Sequence, residues 1–312
     1  SVVKELQDLG YDIEEMGDLC DYLGVQIKKL PDGKLKLSQP QLIAQIIEDL
    51  HFNDRTKPKS TPSMTTKPMH PDKHGDPFDN VDFNYPSVVG KLNFLEKSTR
   101  PDIAHAVHQC ARFSSRPTKM HADAIRHLVR YLVGTSDGGL ILNPKQHSFM
   151  CWADADFCGN WNADTAHYDP STARSRSGYI IMYAGCPLIW ASKLQTEFSL
   201  STTESEYISL SQALREVIPL IDMMQEIKKQ DIDVYVDAPI VNCKAFEDNS
   251  GALEMAKVPK MRPRTKHINV KYHHFRDHVR RKIITLHPVS TLLQVADVLT
   301  KSLPVKLFRQ HR

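Results

Sequence analysis

The chain has no Cys-x-x-Cys pair, no long apolar run and almost no net charge. Its six cysteines (Cys20, Cys110, Cys151, Cys158, Cys186 and Cys243) are scattered, several of them in apolar stretches. That pattern argues against a disulfide framework or a zinc module and for reduced, buried thiols. No apolar run approaches the roughly 20 residues a membrane-spanning helix needs. Neither an initiator methionine nor a signal-peptide pattern opens the sequence at Ser1, so a piece of a longer protein is expected. What remains is an ordinary globular composition, 41% hydrophobic and 25% charged, with 312 residues to build two domains.

The net charge of +3 is unevenly spread. Between Lys257 and Lys282 lie ten basic residues, among them Arg262, Arg264, Lys266 and Lys271, against the single acid Asp277, with four histidines besides. Most charge runs are solvated faces, but so large a local excess in a nearly neutral chain favours a phosphate-binding surface.

Four segments follow from pattern. In residues 1–56, Val25–Lys29 and Leu35–Ser38 flank a Pro31-Asp32-Gly33-Lys34 turn, and the spacing predicts a hairpin followed by an amphipathic helix capped at Ser38. Residues 57–84 carry most of a Pro- and Lys-rich stretch that reads as a linker or surface strap. Residues 85–138 read as three short helices, the second opening at Arg100-Pro101-Asp102 and the third running from a Thr118 cap to Gly134. The histidines of this segment (His105, His108, His121 and His127) are spaced for helix surfaces and are taken as structural.

From Gly139 onward strands and helices mix. Phe149–Phe157 is an apolar run ending in two carboxylates, as suits a strand buried on both faces. Tyr179–Tyr183 and Leu188–Ala191 form a hairpin around Gly185, a long helix runs from Ser201 to about Lys228, and Val241–Phe246 is a fourth strand. Helices over Ala252–Ala256, Val270–Val279 and Leu292–Leu299 and a strand over Ile283–Leu286 complete the order. Five strands in this order predict an α/β fold, a mixed five-stranded sheet with helices packed on it.

Acidic residues recur where these elements end. Asp154 closes the first strand and Asp248 follows the fourth, and Asp156 shares the parity of Asp154 but lies further into the loop. Helix phase separates two glutamates. Glu204 fits a capping box with Ser201, whereas Glu206 stands one turn before Leu210 on the apolar stripe. A carboxylate on the core side is costly unless it is paired or ligates a metal. Asp297 sits inside the apolar turn Val295–Leu299. One such acid is usually a cap or a surface charge; four at element ends of one sheet suggest cations among them.

The motifs Trp152–Phe157, Ser175–Tyr179, Ser201–Tyr207, Asp248–Ala252, Arg264–Ile268 with Tyr272-His273, and Ala296–Lys301 resemble, in this order, the RNase H domain of copia-type LTR retrotransposon (Pseudoviridae-like) Pol polyproteins. Tyr22–Val25, Leu37–Gln39, Ser60–Pro62, Val89–Leu92, Thr99–Ile103 and Arg130–Leu132 are similar to the segment of those polyproteins between polymerase active site and RNase H, so nearly the whole chain is covered.

The resemblance implies an RNase H-like domain over 139–312, a helical connection over 85–138 and the end of the polymerase region over 1–56. It implies Asp154, Glu206, Asp248 and Asp297 as catalytic, metal-binding residues for two Mg²⁺ ions, or Mn²⁺ in their place. It further implies RNA-strand hydrolysis in RNA–DNA hybrids, with Arg262, Arg264, Lys266, His267, Lys271 and His273 on nucleic acid. The expected partner in the parent polyprotein is the upstream fingers and palm, with no membrane, and the expected location is intracellular, in a cytoplasmic virus-like particle or the nucleus.

Two departures stand out. The polymerase Tyr-x-Asp-Asp signature is absent, so this piece is not expected to polymerise DNA. Many RNase H domains carry a histidine in the loop before the last aspartate, where this chain has Pro288-Val289-Ser290-Thr291; His287 is not taken as its substitute. A non-catalytic nucleic-acid-binding remnant and a strand-transfer enzyme on a related fold are the rival readings.

Overall fold

The computed structural model describes residues 2–12, 20–64, 69–71, 75–145, 147–230, 241–257 and 270–312. A helix α1 (Val2–Asp8) precedes strands β1 (Asp21–Tyr22), β2 (Val25–Lys29) and β3 (Leu35–Ser38). The expected hairpin is β2–β3, turning at Gly33 with φ of 80°, a conformation glycine adopts without cost. Helix α2 (Pro40–Asp49) follows, but its cap is Gln39 and not Ser38. Ser38 is still in the sheet, in register with Gln26 on one side and Gly139 on the other.

Helices α3 (Tyr85–Ser98), α4 (Ala104–Ala111) and α5 (Lys119–Val133) form the expected helical segment. Its apolar stripes close one core with Ile43 and Ile46 of α2. Thr118 caps α5 as the sequence predicts, and His121 completes the capping box by accepting the Thr118 N–H at Nδ1, 3.0 Å away. His105 and His121 are 7% and 1% exposed, so neither is on a helix surface. His105 is buried because α4 is covered on both sides, by α5 and by a strand of the second sheet, and His121 because its ring stacks on Phe113 at 3.9 Å and its Nε2 lies 3.1 Å from His70 O. The described part of the Pro-rich stretch is a strap over α5, tied by Arg130 Nε to Lys57 O (2.7 Å) and by a bridge between Pro77 and Thr118.

Strand β4 (Gly139–Leu142) corrects the expected boundary at 139. It pairs antiparallel with β3 and so closes the first sheet, of order β1-β2-β3-β4. The second sheet begins with β5 (Phe149–Asp156), followed by β6 (Arg176–Tyr183) and β7 (Cys186–Leu194) as an antiparallel meander. Helix α6 (Thr202–Lys229) runs through Pro219 without a break. Strand β8 (Cys243–Glu247), helix α7 (Ser250–Lys257), helix α8 (Arg276–Arg280) and strand β9 (Ile284–Pro288) follow. The order is β7-β6-β5-β8-β9, with β8 and β9 parallel to β5: the mixed five-stranded sheet that was expected.

Two expected helices are not continuous. In place of one helix over Val270–Val279 there is a 3₁₀ turn, Val270–His273, and then α8, with Phe275 buried between them. In place of Leu292–Leu299 there is a 3₁₀ turn, Thr291–Leu293, then a short α9 (Asp297–Thr300). Gln294 interrupts it with an extended backbone, because its buried amide donates to Ala153 O of β5 at 2.8 Å. A last helix, α10 (Val305–His311), docks Phe308 edge-on to Tyr131 at 5.7 Å.

The five-stranded sheet is covered on both faces. On one, α6 packs along β5 and β6 with Leu210, Leu214, Val217 and Ile221. On the other, Ile180, Trp190, Val298, Leu299 and Phe308 join the core of the helical segment, and Trp190 Nε1 donates to Glu96 O at 2.9 Å. Among the described residues no helix is long and apolar enough to cross a membrane, and all six cysteines are free thiols.

Candidate metal centre

The acidic residues are brought together by the sheet's own geometry. Parallel pairing of β5 with β8 places the ends of two central strands side by side, where Asp154 and Asp248 lie. Alternation along β5 points Phe149, Cys151, Ala153 and Ala155 toward α6 and leaves Asp154 on the other face, toward α9. Directly across from Asp154 on β6 is Gly178. A methyl there would lie 2.5 Å from Thr300 Cγ2 and 2.9 Å from Leu299 Cβ, so only glycine lets α9 approach this closely. The Asp154 backbone is pinned by Ser209, whose hydroxyl donates to its carbonyl at 2.7 Å.

The two glutamates of α6 turn to different partners. Ser201 caps the helix by accepting the Glu204 N–H at 3.1 Å, and Glu204 turns back to accept the Leu200 N–H at 2.8 Å. Glu206 is 8% exposed and takes the Ala155 N–H on the core side. Oxygens of Asp154, Glu206 and Asp248 lie within 4.8 Å of one another, the one group of three or more candidate ligands among the described residues. Asp297 opens α9 beside them. It is held by Lys301, one turn on, whose Nζ is 2.9 Å from Asp297 Oδ1 and 3.7 Å from Asp154 Oδ2. Thr300 also donates to Asp154 Oδ2.

The sequence reading missed Glu247, which is fully buried at the end of β8. The parity of Val241, Cys243 and Ala245, all core residues, carries straight on to Glu247 and was the signal available. It missed Lys301 too, a cation in contact with two of the acids. Asp156 lies across from Arg176 in register and folds over Gly159, outside the three-carboxylate group.

Burial and mutual repulsion push these acids upward. Asp154 is raised to about 7, first by desolvation and then by Asp297 and Asp248, against the pull of Lys301. Glu206 is raised to about 11 by desolvation, then by Glu247, Asp154 and Asp248. Glu247 and Asp297 are raised by burial first and both further by Asp248. Lys301 is raised, because Asp154 and Asp297 outweigh its desolvation.

Compensation is incomplete. Glu206 Oε2 and Glu247 Oε2 are buried with no hydrogen-bond partner among the described residues. Unpaired buried carboxylate oxygens are expensive. Hard oxygen donors without sulfur or imidazole suit Mg²⁺ or Mn²⁺ better than zinc. The residues present therefore fit a divalent cation.

Of the six residues expected on nucleic acid, Arg262, Arg264, Lys266 and His267 lie outside the described residues. Lys271 is half exposed and paired with Glu197. His273 is oriented by Tyr207, whose hydroxyl oxygen is 2.7 Å from His273 Nδ1.

The sheet order and the acids at its strand ends define an RNase H-like fold. No family model matches the chain. Among curated proteins it is 32% identical over 303 residues to the retrovirus-related Pol polyprotein from transposon TNT 1-94 of Nicotiana tabacum, covering 96% of this chain and 21% of that protein. It is 33% identical over 298 residues to the corresponding polyprotein from transposon RE2 of Arabidopsis thaliana, covering 94% and 19%. Among solved structures it is similar to the N-terminal RNase H domain of a Mycobacterium tuberculosis protein, with 12% identity, a TM-score of 0.32, and coverage of 53% of this chain and 96% of that one. Over nearly its whole length the chain is similar to the copia-type, retrovirus-related Pol polyproteins of transposons, and it spans about a fifth of the length of these curated relatives.

Proposed function

We propose that the chain is the ribonuclease H portion of a retrotransposon reverse transcriptase and hydrolyses the RNA strand of RNA–DNA hybrids. One observation carries this reading. Acids from four separate elements converge on one sheet end, and two of their buried oxygens, Glu206 Oε2 and Glu247 Oε2, have neither a hydrogen bond nor an ion pair among the described residues. A third, Asp297 Oδ1, has only its ion pair with Lys301. Asp154, Glu206 and Asp248 would hold divalent cations, with Asp297 beside them. Such cations would supply the positive charge that helps a water attack the phosphodiester and that stabilises the leaving 3′ oxygen.

The protein's own part is to hold the carboxylates still. Thr300 fixes the Asp154 carboxylate, Ser209 fixes its backbone, and Thr291 donates to Asp248 Oδ2 at 2.9 Å. The basic stretch from Lys257 to Lys282, with Lys271 and His273 at its described end, would grip backbone phosphates, and RNA would be told from DNA by its 2′-hydroxyls. Residues 1–56 would be the end of the polymerase region and 85–138 the connection. In the parent polyprotein the upstream fingers and palm would be its partner, inside a virus-like particle.

The test is incubation of the chain with labelled RNA–DNA hybrid and Mg²⁺, beside Asp154→Asn. Cleavage confined to the RNA strand and lost in the variant is expected. No cleavage by the wild type would sink the enzymatic reading and leave a nucleic-acid-binding remnant; equal cleavage by the variant would sink the site.

A further inference from the structure

The acidic centre has two unlike sides. On one, Asp154, Glu206 and Asp248 offer oxygens within 4.8 Å of one another, and Glu206 Oε2 is unpartnered among the described residues. On the other, between Asp154 and Asp297, a positive group is already in place: Lys301 Nζ, 2.9 Å from Asp297 Oδ1 and 3.7 Å from Asp154 Oδ2.

That position is built into the fold. Lys301 follows Asp297 by four residues, as the residue that caps the short helix α9 and donates its N–H to Asp297 O, so acid and ammonium are held together at the two ends of one turn. The same helix is pressed onto β6 through Gly178, which fixes its distance from Asp154. Asp154 Oδ2 takes the Thr300 hydroxyl and faces Lys301, so one of its oxygens is committed to donors of the chain itself.

We propose that Lys301 is a resident cation that fills the position between Asp154 and Asp297, so that the resting centre takes one divalent ion readily and a second only when the ammonium is displaced. This deepens the metal-centre reading and rests on it. An ammonium has three donors and can bridge two carboxylates much as a small cation does. A divalent ion entering beside it meets like charge at contact distance, whereas the Glu206 side of Asp154 presents carboxyl groups and no cation among the described residues. Lys301 is about one-third exposed, at 37%, which leaves its flexible stem free to swing outward. An anionic backbone phosphate of a bound hybrid is the group that would draw it away. Loading of the second ion would then be coupled to substrate. Lys301 is thus a positioning residue that acts through the occupancy of the centre.

Mn²⁺ binding to the whole chain without nucleic acid, followed by isothermal titration and by the electron paramagnetic resonance of free Mn²⁺, reads this directly. Wild type is expected to bind one ion per chain, with a second weaker by on the order of tenfold or more. Lys301→Met, which keeps the stem and loses the charge, is expected to tighten the second ion by about the same factor. Lys301→Arg should retain the wild-type asymmetry, and Glu206→Gln should lose the first ion. Two ions of equal affinity on the wild type, or a Lys301→Met curve identical to wild type, would overturn the resident cation and leave the metal centre standing. No Mn²⁺ bound by the wild type would overturn both. The wild-type curve decides by itself if Lys301→Met does not fold.

Discussion

Two buried aspartates in this molecule are treated in opposite ways. Asp102, in the helical region, accepts two hydrogen bonds of 2.8 Å from buried Arg100 and one of 2.5 Å from the Tyr131 hydroxyl, with Arg312 Nε 3.7 Å away. Burial alone would raise its carboxyl; the charge and hydrogen bonds of Arg100 override that and hold it below the usual carboxylate value. Asp154, at the end of β5, has one hydroxyl donor and one ammonium, faces three other acids, and is pushed up to about 7. At Asp102 the helical region has neutralised what it buried. The second sheet has gathered charge that the chain alone does not neutralise, which is the signature of a site held ready for something else.

The two regions also depend on each other in order to fold. The face of the second sheet that carries Ile180 and Trp190 is closed by the helical segment together with the short helix α9. The largest expected effect is therefore truncation. A chain reduced to residues 139–312 should give no cooperative unfolding transition by circular dichroism, because it exposes that face and strips β4 of β3. A sharp transition equal to that of the full chain would show the two regions to be independent.

Paired neutralisations should differ in sign. Asp102→Asn leaves Arg100 buried and uncompensated and is expected to cost about 3–5 kcal/mol in urea unfolding. Glu206→Gln removes a buried carboxyl that folding forces to take up a proton, and should raise metal-free stability at neutral pH by about 1 kcal/mol or more. If both variants lose stability alike, the contrast between the regions fails. Gly178→Ala drives a methyl into Thr300 and Leu299, and about 1–3 kcal/mol is the expected cost, with hybrid cleavage reduced alongside. The smallest effect belongs to Lys119→Ala. It removes an exposed pair with Asp76, and its unfolding midpoint should match wild type.

Much of this was legible because it depends on local period. The turn at Asp32-Gly33, the Thr118 cap, and the phase that separates Glu206 from Glu204 are each written within a few residues. What escaped depends on contacts distant in sequence. Gly139–Leu142 looks like the start of the second region until β3 is in place to pair with it. Asp297 looked internal to a helix because nothing local shows that Gln294 turns its amide to Ala153 and breaks the run. His105 looked like a surface residue because the strand covering α4 lies some eighty residues further on. Glu247 is a different case: strand parity marked it, and Asp248, one residue further, drew the attention.

The acids at the end of β5 would form a complete centre once a divalent cation supplied the charge they lack. Carboxyls raised by folding contribute stability that is complete below their unfolded values, near 4, and lost as pH rises toward their folded ones, about 7 for Asp154 and about 11 for Glu206. The metal-free protein should thus weaken from mildly acidic toward alkaline pH. The most direct measurement is the thermal midpoint of wild type and Glu206→Gln with and without millimolar Mg²⁺, at about pH 5 and about pH 8. A Mg²⁺-dependent rise for the wild type, larger at the higher pH and absent in Glu206→Gln, is the expected result. No rise at either pH, or an equal rise in the variant, would contradict it.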